Sequence, residues 1–167
     1  MSCSRAGTRR TRMMVPQRSG LIAAISGYVG VTYTYGTIFG TCKSAADRMA
    51  RDMAVELEPP NVASLSLWQG LTLTERALRN LAQIPGLQGR SATRPEDACS
   101  PEFPGRVLAE LLCDAEIMRH SGGTFITAEL AQAYGVTDLD GRTIPSLRER
   151  RGAPIWQPYR AAAKAPA

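Results

Sequence analysis

Gly36-Thr-Ile-Phe39-Gly40-Thr-Cys42-Lys43-Ser-Ala45-Ala46-Asp-Arg-Met49-Ala50-Arg-Asp-Met53-Ala54-Val-Glu-Leu57 decides the fold. Cys42, Ala46, Met49, Met53 and Leu57 recur at three- and four-residue steps. That spacing predicts a helix over 39–57 with a narrow apolar stripe. Ala45, Ala50 and Ala54 flatten the surface beside it, and Pro59-Pro60 ends it. Phe39 and Lys43 are four residues apart, which puts both side chains on one helix face.

On the N-terminal side of this helix, Gly20-Leu21-Ile-Ala-Ala-Ile-Ser26 reads as a buried strand, a short apolar run bounded by Gly and Ser. Residues 27–38, rich in Gly, Thr and Tyr, read as a loop. On the C-terminal side, Val62-Ala-Ser-Leu-Ser-Leu-Trp68 is a second strand, with Trp68 expected to pack on the sheet. A short helix is expected from Thr74 to Leu81, then a long loop over 84–100. Pro101 suits the first turn of a helix running to Cys113, with Phe103, Val107, Leu111 and Leu112 facing inward. Asp114 to His120 is a connector, and His120 is expected at the surface. Gly123 to Thr127 is a third strand. Ala128 to Tyr134 is a last helix stopped by Gly135. Helices between successive strands predict a parallel sheet, and hence an α/β fold of three strands with helical crossovers. Residues 1–19 form a basic N-terminal segment, 20–136 the α/β unit, and 137–167 an extended, partly disordered tail.

Charge and cysteines narrow the function classes. Of 20 basic residues, Arg5, Arg9, Arg10, Arg12 and Arg18 fall in the first nineteen positions, leaving the rest balanced against 15 acids. The net charge of +5 is thus local. It suits a solvated helix end or frayed arm, with a targeting peptide as the competitor. No basic face for nucleic acid is evident. No apolar run reaches the roughly 18–20 residues of a membrane span. Cys3, Cys42, Cys99 and Cys113 show no Cys-x-x-Cys spacing, and there is one histidine. No metal site is expected, and reduced thiols point to the cytoplasm.

Phe39-x-x-x-Lys43 with its small-residue helix resembles the active-site helix of short-chain dehydrogenases/reductases, where the pattern is Tyr-x-x-x-Lys. A nearby ammonium favours the phenolate there, so that the tyrosine serves as general acid/base. The strand ending at Ser26 resembles the one whose end supplies the catalytic serine. Glu56 to Trp68 resembles the approach to the next strand. Gln69-Gly70-Leu71-Thr-Leu-Thr74 resembles the Pro-Gly-x-x-x-Thr turn that contacts the nicotinamide carboxamide. Ile117 to Gly141 resembles the tail of the member-1 branch of the family. The resemblance covers residues 12–148.

It implies a partial Rossmann-like fold whose N-terminal half is absent, including the Gly-x-x-x-Gly-x-Gly phosphate loop that holds the pyrophosphate. It further implies NAD or NADP as cofactor. Lys43 would hold the nicotinamide ribose, with Gly70, Leu71 and Thr74 around the carboxamide. Ser26 and Lys43 would be the catalytic positions that remain, with Phe39 occupying the tyrosine slot. The departures fall on the chemistry: Phe39 has no hydroxyl, Gly27 replaces the second serine of a Ser-Ser pair, and Gln69 replaces a proline. The expected function is an oxidoreductase piece, truncated and inactive alone, which does not bind the cofactor usefully by itself. The alternative is a non-catalytic interaction module pairing through the helix at 39–57, as a homo-oligomer or with a full-length relative. Tyr35 is a substitute phenol, but eight residues from Lys43 is about 12 Å along a helix. A rival dinucleotide loop, Gly36-x-x-x-Gly40-x-Cys42 after Val31-Thr-Tyr-Thr-Tyr35, lacks the third glycine and the ribose-binding acid.

Overall fold

Ser64 and Ser66 alternate with Leu65 and Leu67 along a strand buried at every residue, and this alternation organises the molecule. The computed structural model describes residues 12–33, 36–83 and 95–159. Its strands are β1 (Leu21–Ser26), β2 (Ala63–Trp68) and β3 (Thr124–Ile126), and its helices α1 (Thr37–Leu57), α2 (Glu75–Gln83), α3 (Phe103–Cys113), α4 (Thr127–Tyr134) and the short α5 (Arg148–Arg151). The sheet is parallel throughout in the order β1-β2-β3, with Ser26 opposite Trp68 and Trp68 opposite Ile126. This is the expected α/β architecture.

One period-2 face of β2 is polar and meets α1. Ser64 Oγ donates to the Ala50 carbonyl at 3.0 Å and Ser66 Oγ to Asp47 Oδ1 at 2.6 Å, while Trp68 Nε1 donates to Asp47 Oδ2 at 3.0 Å. Small residues at Ala50 and Ala54 allow the helix to sit this close. Leu65 and Leu67 join a core with Phe103, Val107, Leu111 and Ile126. Each such side chain contributes roughly 1.5–3 kcal/mol on burial.

Two expectations about helix faces are corrected. The buried line of α1 is Asp47, Ala50, Ala54 and Leu57, whereas Cys42 and Met49 of the anticipated stripe are exposed. On α3, Leu112 is 65% exposed, because the inward line of Phe103, Val107 and Leu111 leaves the next residue turned away. α1 stops where Asn61 takes a left-handed backbone (φ 58) and the Val62 N–H reaches the Leu57 carbonyl. Gly135, at φ 68, closes α4 as expected.

The N-terminal basic segment is helical over 12–17. Arg5, Arg9, Arg10 and Tyr35 lie outside the described residues, as does most of the expected 84–100 loop.

The segment beyond 136 differs most from expectation. Its described part, to 159, is irregular but docked. Asp138, Ile144 and Leu147 are buried. The Thr124 N–H donates to the Trp156 carbonyl and the Tyr159 N–H to the Ser121 carbonyl, both at 2.9 Å, so this segment runs against the β3 side of the sheet. Arg51 of α1 stacks on Trp156 and Tyr159, at 5.9 and 5.3 Å from the ring centroids.

His120 is also corrected. It is half-buried in a knot in which its ring packs edge-on against Phe125 and its Nε2 lies 3.1 Å from the Tyr134 hydroxyl. Tyr134 donates to Asp114, and Arg119 donates to the same carboxylate at 3.1 Å.

Candidate functional site

Parallel strands end together, and the crevice beyond their carboxyl ends is where open α/β sheets bind ligands. Here β1 runs out at Ser26 and β2 at Trp68, and a cleft of about 150 Å³ opens beyond them. Ser26, Gly27, Phe39, Lys43, Gly70 and Leu71 all line it. Residues from three separate stretches of sequence are thereby brought to one place.

Lys43 donates from Nζ to the Ile25 carbonyl at 2.9 Å, and the same ammonium lies 5.8 Å from the centroid of the Phe39 ring. The two side chains share a helix face. Ser26 Oγ donates to the Lys43 carbonyl at 3.1 Å and is buried. Its hydroxyl therefore ties β1 to α1. Gly27 and Gly70 both face open space where a side chain would be, so the floor of the cleft is backbone. At Gly40 the reverse holds: a Cβ would stand 3.0 Å from the Val29 carbonyl oxygen, a tight contact, so glycine there lets α1 lie close against the 28–30 turn.

Thr74 stands apart from the other expected cofactor residues. It lies outside the cleft lining, and its hydroxyl accepts the Ala77 N–H at 3.2 Å, capping α2. The turn at 69–73 is instead held by Cys99. The Cys99 N–H donates to the Leu71 carbonyl and the Leu73 N–H to the Cys99 carbonyl. Burial pushes the Cys99 thiol up from its ordinary value, as suits a structural cysteine.

Three cleft residues had no signal in the sequence. Tyr28 follows the strand end, packs at 5.1 Å from Trp68, and accepts the Leu147 N–H at its hydroxyl; burial pushes its phenol up. Leu147 and Arg151 come from the docked C-terminal segment. They carry no periodicity, and only position in three dimensions brings them to the cleft. The rival dinucleotide loop is not supported, since residues 31–33 form a turn instead of a strand leading to Gly36.

The cleft is small for a ligand site. Ligand pockets commonly run to about 300–1,000 Å³, and this one is about 150 Å³. Lys43 brings an ammonium to it and Gly70 open backbone. Among the described residues, no glycine-rich strand-to-helix turn cradles a pyrophosphate. Among the same residues no cluster of three or more potential metal ligands occurs, and no helix is long and apolar enough to cross a membrane.

No family model matches the chain. It is 35% identical over 137 residues to "Dehydrogenase/reductase SDR family member 1" of Mus musculus and 34% identical over the same length to that of Homo sapiens. These matches take in 80% of the chain, which spans 44% of the length of either relative. Solved structures share the fold. A 3-oxoacyl-[acyl-carrier protein] reductase from Brucella melitensis superposes with a TM-score of 0.57 at 22% identity, over 70% of this chain and 43% of its own. Acetoin dehydrogenase from Enterobacter cloacae gives 0.52 at 23% identity, over 70% and 44%. A tyrosine-to-phenylalanine variant of ElxO with NADPH bound gives 0.55 at 16% identity, over 71% and 48%.

Proposed function

Because this chain, over its matched residues, belongs to the short-chain dehydrogenase/reductase family, we propose that its cleft is a nicotinamide-and-substrate cleft in a form that does not carry out proton transfer. The observation behind this is Phe39, one turn before Lys43 with its ring beside the ammonium. Hydride transfer to or from a carbonyl needs a proton delivered to or taken from the oxygen. Tyr28, the one phenol lining the cleft among the described residues, accepts a backbone N–H and is raised by burial, so it is a poor substitute. Ser26 is engaged with the Lys43 carbonyl, and Gly27 has no side chain to offer. Losing a positioned acid/base typically removes about two to four orders of magnitude in rate.

When bound, NADH or NADPH would supply the hydride, and NAD or NADP would accept it. In this chain Lys43 would hold the cofactor's ribose, and Gly70 with Leu71 would flank the carboxamide. Binding and protonation are separable functions. The ElxO variant, lacking one tyrosine hydroxyl, still carries NADPH. We expect the chain alone to bind either dinucleotide more weakly than about 100 µM, roughly −5.5 kcal/mol, because the nicotinamide end supplies few of the contacts. Calorimetry with NAD and NADP, followed by cofactor-linked assays on carbonyl and alcohol panels, tests both statements. Robust cofactor-dependent turnover by the unmodified chain overturns the assignment.

A second proposal follows from the outward side of α1. Cys42, Ala45 and Met49 are exposed there in a line at helical spacing. A flat surface of this kind suits pairing with the same helix of a second copy or of a full-length relative. The three described cysteines are free, consistent with a reducing, cytoplasmic setting.

A further inference from the structure

Gln69, Gly70 and Leu71 form one wall of the cleft, on a stretch that belongs to neither β2 nor α2. Irregular backbone keeps a shape only where its polar groups find partners. Residue 99 supplies them here. The Cys99 N–H donates to the Leu71 carbonyl at 3.0 Å, and the Leu73 N–H donates to the Cys99 carbonyl at 2.9 Å. Thr72 and Cys99 thus stand opposite each other as an isolated parallel bridge. The Cys99 thiol adds contacts of 3.6 and 3.7 Å to the Leu71 and Gln69 carbonyls.

Cys99 is held in turn from the C-terminal segment, through its neighbour Ser100. Asp138 is buried at 3% exposure. Its Oδ2 accepts the Ser100 N–H at 2.8 Å, and its Oδ1 accepts the Ser100 hydroxyl at 2.5 Å. The carboxylate is itself fixed: Oδ1 also accepts the Leu139 N–H at 2.8 Å, and the Asp138 N–H donates to the Arg142 carbonyl at 2.9 Å. From the same loop Arg142 donates to the Glu96 and Ala98 carbonyls, at 3.0 and 3.5 Å. Three stretches far apart in sequence are therefore linked in series, from Asp138 to Ser100 and Cys99, and from there to the cleft wall.

Hydrogen bonds to an ionised carboxylate are roughly twice as strong as neutral ones, and Asp138 spends two of them on one residue. We propose that Asp138 is a positioning residue for the cleft. Through Ser100 and Cys99 it sets where the backbone of Gln69 to Leu71 stands, and hence how tightly the cleft holds its ligand. The inference deepens the assignment above and rests on it only in taking that wall as a ligand contact. A carboxylate that merely tethered the C-terminal segment would affect stability and leave the wall in place.

NMR on the full chain separates the two. Backbone amide shifts and hydrogen exchange are read first without ligand, and the protein is then titrated with nicotinamide mononucleotide, the nicotinamide-ribose end of the cofactor. Asp138→Ala is expected to shift the Gln69, Gly70 and Leu71 amides. It should also speed exchange at the Leu73 and Cys99 N–H groups by about tenfold relative to the amides of β2, and weaken the mononucleotide by about tenfold. Ser100→Ala keeps the backbone N–H for Asp138 and loses the hydroxyl. It should fall between, and supplies the measurement if Asp138→Ala does not fold. Asp114→Asn is the control. It disturbs the contacts with Tyr134 and Arg119 at the far end of α3, about 16 Å along the helix from its start. It should cost stability yet change the wall amides and the mononucleotide by less than about twofold. Wall amides that stay in place in Asp138→Ala overturn the proposal. So does an equal disturbance of the wall by Asp114→Asn, which would mean only general loosening, and so does equal mononucleotide binding by the parent and Asp138→Ala. Wall amides that move in a chain whose parent takes no mononucleotide keep the positioning role and sink the nicotinamide assignment instead.

Discussion

Lys43 has the aromatic ring of Phe39 beside its ammonium, one helical turn away, and two residue-scale consequences can be measured. Phe39 is 43% exposed, so a tyrosine fits at that position without disturbing the core. Its hydroxyl would stand beside the Lys43 ammonium, which stabilises the phenolate. The Phe39→Tyr variant should therefore show an extra phenol, relative to the parent, titrating below the ordinary value of about 10. Adding Lys43→Met should return it to that value. Phenolate absorbance, read as a difference from the parent protein, checks both. Turnover is not expected from Phe39→Tyr alone, because Gly27 and the nearly spent hydrogen bonding of Ser26 leave the substrate oxygen without a second partner. Deeper in the molecule, Asp47 is buried and accepts from Ser66 and Trp68. Asp47→Ala removes the acceptor of the Trp68 indole N–H and the shorter of two acceptors of the Ser66 hydroxyl, which keeps the Ala24 carbonyl at 3.3 Å, at about 1–3 kcal/mol for a donor left unsatisfied. A loss of about 2–4 kcal/mol in chemical denaturation is expected, with a change in Trp68 fluorescence. Asp47→Asn, which keeps an acceptor, should lose less.

At the scale of elements, what could be read from the sequence depended on whether the burial partner was local or distant. The three strands and the helices at 37–57, 103–113 and 127–134 carry their own punctuation: Pro59-Pro60, Pro101 and Gly135 mark ends by backbone chemistry alone. Apolar content is a poor guide to the face that α1 buries. The strand it meets presents serines, so the helix answers with Asp47, Ala50 and Ala54, and Met49 is left outside. The docked segment 137–159 has no periodicity, and its burial comes from partners a hundred residues away, such as Tyr28 and Thr32. Hence Leu147 and Arg151 were invisible as cleft residues, whereas Lys43, Phe39 and Gly70 were legible through their spacing. The same dependence on distant partners governs His120, which joins the ends of α3 and α4 to β3. It faces Asp114, Arg119, Tyr134 and Phe125. Burial, reinforced by Arg119 and opposed by Asp114, lowers its pKa from the ordinary 6.5. Between 6.5 and that lower folded value the unfolded chain binds more protons than the native one, so stability falls as pH drops through this window. The chain has one histidine, which makes the slope assignable. His120→Gln keeps a polar partner for Tyr134 and should flatten it; an unchanged slope in denaturation series from pH 7.5 to 5.5 would remove His120 from the explanation.

At the scale of the whole molecule, the two sides of the sheet are finished differently. The β3 side is covered, since the Thr124 N–H is taken by Trp156 and the segment is clamped to α1 through Arg51. At the β1 side no described strand pairs beyond Leu21–Ser26. Leu21 to Ala24 are only partly buried, and Ile25 is 37% exposed, in a strand with no charged residue. An apolar edge with unsatisfied ladder groups templates strand addition. The exposed Met49 line on α1 gives a second surface for self-association. We therefore expect the purified chain to associate in a concentration-dependent way. A charge on an edge strand blocks pairing without disturbing the core, so Ile25→Lys should shift light scattering toward monomer if the edge is responsible. Met49→Lys should do so if the helix face is responsible, and the two substitutions together should do so if both contribute. A parent chain that is already a monodisperse monomer, unfolding cooperatively with more than about 5 kcal/mol, would show that neither surface drives association and that three strands with a docked C-terminal segment suffice for an independent domain.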